Sequence, residues 1–151
     1  MKDPEIVFLD TNVYIIGTAD PESAEAKILA WLGFLSREAR KIEVVVSEEL
    51  FEQISRVAKR LQNKDWSGEI LARIWQRMKL RYVLTDPQEW ESLAELGLIP
   101  REDVGVYLTA TNGKAEYFIS SNRELIRELS EKTGEFVCMT PEDFFEKVLK
   151  D

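Results

Sequence analysis

Short, wholly apolar runs alternate with helical stripes along this chain, and that alternation limits the fold more than any other feature. Ile6-Val7-Phe8-Leu9, Val44-Val45-Val46, Tyr117-Phe118-Ile119 and Phe136-Val137-Cys138-Met139 lack the in-out alternation of a half-exposed strand. Such runs read as strands buried on both faces, as in a parallel sheet. Tyr82-Val83-Leu84 is a further candidate. Between the runs lie amphipathic helices. One is expected over residues 23–37, with Ile28, Trp31, Leu32 and Leu35 on one face. Ser47 suits the N-cap of a helix whose stripe is Leu50, Phe51, Ile54, Val57, Ala58 and Leu61. Ser67 is expected to cap the next, with Ile70, Leu71, Ile74, Trp75 and Met78 inward. Asp86-Pro87 opens a helix ending near Gly97, and Pro100 precedes one that ends at Asn112-Gly113. Further helices start at Arg123 and at Thr140-Pro141. Strands alternating with helices from end to end predict an α/β fold, a parallel sheet covered on both faces.

The chain has 151 residues, enough for one domain, 1–151, with a real core, and no repeat or linker divides it. Hydrophobic residues make up 44% and charged residues 32%, a balance that excludes a disordered chain. No apolar run approaches the roughly 20 residues that span a bilayer. Met1-Lys2-Asp3-Pro4-Glu5 lacks the build of a signal peptide, so a cytoplasmic protein with no membrane partner is expected. Cys138 is the single cysteine, which excludes an internal disulfide and a cysteine-bound zinc. There is no histidine. That absence removes Ser-His-Asp and Cys-His triads and histidine-bound zinc. An oxygen-only metal site would suit Mg2+ or Mn2+.

Charge is unevenly spread. Residues 55–82 hold Arg56, Lys59, Arg60, Lys64, Arg73, Arg77, Lys79 and Arg81 against Asp65 and Glu69, a balance of +6 in a chain whose net charge is −8. The remainder therefore carries −14. A basic helical hairpin on an acidic protein marks a nucleic-acid surface or a solvated outer face.

Polar residues follow the apolar runs at once. Asp10-Thr11-Asn12 follows the first, Ser47-Glu48-Glu49 the second, and Ser120-Ser121-Asn122-Arg123-Glu124 the fourth, while Glu102 and Asp103 open a helix. In a doubly wound sheet these ends converge at the carboxyl edge, where ligands bind. Taken singly, each acid serves equally well as a helix cap or a complement to a helix N-terminus. Taken together, clustered acids without histidine point to a divalent cation and phosphoryl chemistry. A phosphate-cradling glycine loop ending in Gly-Lys-Ser/Thr is absent, and Asn12 stands where a haloacid-dehalogenase-type phosphatase needs its second aspartate.

The ordered set resembles the PIN-domain family of metal-dependent nucleases over nearly the whole chain. It comprises a first strand with Asp-Thr-Asn, a second followed by Ser47-Glu48-Glu49-Leu50-Phe51-Glu52, an acid opening a helix (Asp103-Val104-Gly105-Val106-Tyr107-Leu108-Thr109-Ala110-Thr111), a strand ending in Ser120-Ser121-Asn122, and Thr140-Pro141-Glu142-Asp143-Phe144-Phe145 near the end. The resemblance implies a three-layer sandwich with a central parallel sheet flanked by helices. It implies an endoribonuclease whose carboxylates hold Mg2+ or Mn2+. Residue by residue, Asp10, Glu52 and Asp103 match the catalytic, metal-holding acids, with Glu49 in reserve for Glu52. Thr11, Asn12 and Ser120 match their supports. Asn122 departs from an aspartate common in the family, and Glu124 is the candidate to complete the metal shell.

The expected partner is an RNA substrate, bound by Arg56, Lys59, Arg60, Lys64, Arg73 and Arg77. Trp66, Trp75 and Tyr82 are able to stack on bases, although the spacing of Trp75 fits a core position. The hairpin also carries apolar residues (Trp66, Leu71, Ile74, Trp75, Met78) in a number that predicts a homodimer interface. Chains of this size resemble the toxins of VapC-type pairs, which implies an antitoxin protein as partner. The alternative is a catalytically weakened PIN-fold module that binds RNA or a protein.

Overall fold

The apolar runs pair edge to edge. In the computed structural model, which describes residues 4–34 and 42–149, strands β1 (Ile6–Leu9), β2 (Glu43–Val46), β3 (Leu80–Tyr82), β4 (Tyr117–Ile119) and β5 (Val137–Met139) form one sheet in the order β3-β2-β1-β4-β5. All four pairings are parallel. Phe8, in the central strand, lies between Val45 and Phe118, and the Phe8 and Phe118 rings meet at a tilt with centroids 4.9 Å apart. Val7, Phe8, Leu9, Val44, Val45, Val46, Phe118 and Ile119 are fully buried, as strands covered on both faces require.

Helices α1 (Thr11–Ala19), α2 (Ala24–Trp31), α3 (Glu48–Leu61), α4 (Lys64–Arg77), α5 (Pro87–Leu96), α6 (Val104–Asn112), α7 (Arg123–Lys132) and α8 (Pro141–Phe144) connect and cover the strands. A 3-10 turn, Arg101–Asp103, leads into α6. Most begin at a side-chain cap: Asp10 accepts from the Thr11 amide, Ser23 from Ala26, Ser47 from Leu50, Asn63 from Trp66 and Asn122 from Leu125. Each cap satisfies an amide that the helix leaves without a partner. No helix among the described residues is long and apolar enough to cross a membrane.

Three boundaries differ from those expected. Helix α4 starts at Lys64, because Asn63 caps it; Ser67 is buried within the α3–α4 contact and donates to Ser55 Oγ at 3.1 Å. Strand β3 lies two residues earlier than Tyr82-Val83-Leu84. Its register against Val44–Val46 sets it at Leu80–Tyr82, and Leu84 is exposed. Helix α2 ends at Trp31, where Gly33 at φ +94 lets the Phe34 amide fold back onto the Leu29 carbonyl. The rest of that expected helix, residues 35–37, lies outside the described residues.

The strand order reverses between β1 and β4, which opens a crevice at their carboxyl ends. Helix α6, which Asp103 introduces, is pinned at its far end. A Cβ built on Gly113 would come within 2.3 Å of Val45 Cγ1 in the central sheet. Gly113→Ala is therefore expected to destabilise the protein by about 1–3 kcal/mol, as overpacking does. Urea denaturation checks it, the midpoint falling with the slope unchanged.

Candidate functional site

The crevice is built around one carboxylate. Strand β1 ends in Asp10, whose amide still donates to Ile119 of β4 at 2.9 Å. Its Oδ1 accepts from the Thr11 amide at 2.8 Å and its Oδ2 from Ser120 Oγ at 2.7 Å. Ser120 Oγ in turn accepts from the Asn122 amide at 3.1 Å. Asn12 Oδ1 accepts from the Ser121 amide at 3.0 Å, and Ser121 Oγ donates to the buried Glu25 at 2.7 Å. The loop after β4 is thus stitched to the loop after β1. Thr11, Asn12 and Ser120 all serve this arrangement.

Asp10 faces a cavity of about 440 Å³. Asp103 and Asn122 share its rim, Gln53, Arg56 and Arg60 line the wall given by α3, and Ile15, Ile16, Val57 and Leu61 supply the apolar remainder. Burial pushes the Asp10 carboxyl up, against the hydrogen bonds from Ser120 and Thr11 that hold it down. Asp103 is pushed up to about 6, first by burial, then by the charges of Asp10, Glu102 and Glu128. Two carboxylates that repel each other across a half-dry cleft call for a positive partner.

Glu52 does not reach this cavity. It is exposed and lines a separate hollow with Ser55, Arg56, Lys59 and Arg60. Gln53 of α3 lines the Asp10 cavity instead, and Thr11 Oγ1 donates to its Oε1. Helical geometry is the reason. Leu50, Ile54 and Ala58 are buried and fix the rotation of α3. At about 100° per residue, Gln53 and Glu52 then point to different sides. Gln53, Arg56, Val57 and Arg60 follow the i, i+3, i+4, i+7 spacing of one face, a signal the sequence carries. Among the described residues no three carboxylates come together as a metal would need, so Asp10, Glu52 and Asp103 do not form a shared cluster.

Glu49, the reserve acid, is also elsewhere. Trp90 donates to it, its carboxylate occupies the space a Cβ on Gly105 would need, and burial pushes it up. Glu124 lines a smaller hollow, about 140 Å³, with Glu102, Glu128, Asp103 and Asn122, and only the last two are shared with the Asp10 cavity. The Asn122 oxygen is committed to capping α7, accepting from Leu125 at 3.1 Å.

The basic hairpin divides by helix. Arg56 and Arg60 stand on the cavity wall, Lys59 adjoins them, and Lys64 is exposed at the start of α4. Arg73 pairs with Glu69 at 2.6 Å and covers the Phe34 ring, and Arg77 donates to the Phe34 carbonyl at 3.3 Å. Those two, expected on the nucleic-acid surface, brace α4 instead. Trp75 is no core residue either: it is 56% exposed, while Ile74 and Met78 are buried.

The donor set fits one divalent ion. Mg2+ needs one or two protein carboxylates and completes its shell with water and phosphate oxygens, and Asp10 with Asp103 supplies two. A second ion lacks carboxylates here, since Gln53 and Asn122 are neutral amides whose oxygens already accept hydrogen bonds.

The PIN domain family model matches residues 6–124. A solved chain of VapBC2 from Rickettsia felis, in a crystal structure bound to a DNA fragment from the promoter, superposes with a TM-score of 0.62 at 11% identity, over 89% of this chain and 98% of that one. At that identity the likeness is one of fold. No curated protein matches the sequence.

Because folding raises its pKa, Asp103 favours the folded state most below about pH 4, and that advantage is lost as pH rises through 6. It caps no amide. Asp103→Asn, in EDTA, is expected to raise the unfolding free energy at neutral pH by about 1 kcal/mol after solvent screening, with the gain gone near pH 4. Urea titrations at the two pH values measure it.

Proposed function

The chain belongs to the PIN-domain family, and we propose that its cleft is a divalent-metal-dependent endoribonuclease site of low intrinsic rate. The observation that carries the reading is the convergence of Asp10 and Asp103 opposite Arg56 and Arg60 in one cavity of RNA-backbone size. Asp10 and Asp103 would hold one Mg2+ or Mn2+. Such an ion polarises a phosphoryl oxygen and lowers the pKa of a water. Thr11 and Ser120 hold the Asp10 carboxylate in a fixed orientation. Gln53 fixes the Thr11 hydroxyl. Arg56 and Arg60 bind the phosphates on either side of the reacting one, a task for which the planar guanidinium is suited. Ile15, Ile16, Val57 and Leu61 limit water on the remaining wall.

The low rate follows from Gln53 and Asn122. Both stand at the cavity where a carboxylate would strengthen metal binding, and neither carries charge. The same two residues favour a second reading, a PIN-fold module that binds RNA or a protein partner without cutting it. The shared fold with VapBC2 supports a toxin's role with an antitoxin partner as part of the proposal. A short antitoxin-like reading frame beside the gene is the observation to seek.

Cleavage of single-stranded RNA in Mn2+ separates the readings. The wild-type protein is expected to cut slowly. Asp10→Asn is expected to lower the rate about 100-fold or more, equivalent to about 3 kcal/mol of barrier. Gln53→Glu and Asn122→Asp are expected to tighten Mn2+ binding, with a rate gain of about tenfold for the pair. In EDTA, Gln53→Glu should lower the melting temperature through repulsion with Asp10, and Mn2+ should restore it. A wild type that binds RNA but never cuts it, with no gain from either substitution, supports the binding module.

A further inference from the structure

The cavity does not use the most exposed aromatic pair among the described residues. Trp75 of α4 is 56% exposed and Tyr82, at the end of β3, is 43% exposed. Their rings lie 6.0 Å apart and 26° from parallel. Phe51 of α3 supports both from below, at 5.3 Å and 6.3 Å. Two large rings, held rigid on one side and open to water on the other, are a costly surface to leave bare. They are also the kind of platform on which unpaired bases stack.

Position and charge connect this platform to the Asp10 cavity. The sheet is parallel, so Tyr82 and Asp10 end their strands on the same edge. Strands β3 and β1 are two spacings apart, about 10 Å. The surface of α3 fills that interval. Taken around the helix at about 100° per residue, the order runs from Phe51 under the aromatic pair through Ser55, Lys59, Glu52 and Arg56 to Arg60 and Gln53 at the cavity. Ser55, Lys59, Glu52, Arg56 and Arg60 line one continuous hollow of about 610 Å³. Among the described residues Lys59, Arg56 and Arg60 form no ion pair. Three free cations against the lone Glu52 leave the track positive.

We propose that Trp75 and Tyr82 form a stacking platform for the bases of single-stranded RNA, from which the strand crosses α3 on Lys59, Arg56 and Arg60 into the Asp10 cavity. A single-stranded nucleic acid presents, in regular succession, a flat face for the rings and an anionic group for the cations one step along, and RNA is the occupant because the platform leads into the cleft proposed to receive RNA. The platform is a binding subsite, remote from the reacting atoms. It takes from the preceding section only that the cleft receives RNA.

The test is binding of a short oligouridylate in EDTA, followed by tryptophan emission and by anisotropy of a labelled strand. Wild type is expected to bind with quenched emission and with an affinity that falls as salt rises. The double variant Trp75→Ala with Tyr82→Ala is expected to bind about tenfold or more weakly. Trp75→Phe should restore most of the affinity with less quenching, which separates stacking from general loss of structure. In Mn2+, the same double variant should raise KM for RNA and leave kcat within about twofold, since the platform touches no reacting atom. Equal affinity of wild type and double variant overturns the proposal, as does absence of oligouridylate binding by wild type. So does sedimentation in which the double variant splits a wild-type dimer while RNA affinity is unchanged, for the platform is then a protein interface. Loss of cleavage with this binding pattern intact bears on the metal-dependent reading alone.

Discussion

The buried carboxylate of Asp10 governs the arrangement of this molecule's functional edge. A carboxylate removed from water is expensive unless donors surround it. Here two donors serve it, the first amide of α1 and the Ser120 hydroxyl after β4, and the pairing of β1 with β4 sets those two strand ends side by side. Each donor is itself held, Ser120 by the Asn122 amide, and Thr11 by Gln53. Satisfying one charge therefore orders two loops and one face of α3. The reversal of strand order between β1 and β4 provides the crevice, and Asp10 provides the reason for its walls to face inward.

The rotation of α3 decides what that crevice can hold. Buried Leu50, Ile54 and Ala58 fix it, and the cavity receives Gln53, Arg56 and Arg60 in consequence. Ser47 at the head of α3 shares a 2.7 Å hydrogen bond with Thr109 of α6, so the two helices that flank the site are joined through buried hydroxyls. Helix α6 cannot slide, because Gly113 lies against Val45. The spacing between the Asp10 floor and the arginine wall is thus set by the core rather than by surface contacts.

Much of this was legible in the sequence. Unbroken apolar runs marked β1, β2 and β4 within the observed strands, because a strand buried on both faces has no polar side to show. Ser47, Asp86-Pro87 and Thr140-Pro141 marked helix starts through local chemistry, which neighbouring residues suffice to specify, whereas the cap that Asn122 gives α7 shows only in the fold. The errors arose where the answer lay in three dimensions. Glu52 matches the family motif by residue type, with Glu49 in reserve, although the phase of the Leu50–Ile54–Ala58 stripe turns Gln53 rather than Glu52 to the cavity. Trp75 fits helical spacing, but Ile74 and Met78 fill the core beneath it, so it emerges on the surface. Arg73 and Arg77 belong to a basic run only in sequence, since Glu69 and Phe34 take them in the fold. Short β3 pairs on one edge only, and its limits follow from the register with β2.

The two amides at the cavity change the balance between holding a cation and holding a phosphate. With carboxylates at Gln53 and Asn122, four negative groups would surround the crevice, and the empty site would repel both itself and an approaching anion. With amides there, the near charges are two carboxylates and two guanidiniums. The net charge of −8 disfavours the approach of a polyanion at long range, and the cations of α3 offset that locally. A strand entering the cavity would meet Arg56 and Arg60 on its wall as well as Asp10, and the field there would oppose it less. On the proposed reading, the same exchange that weakens the grip on the metal ion favours the approach of the substrate backbone. Affinity for RNA and turnover of RNA are then set by different residues of one helix face, the arginines for the first and Gln53 for the second.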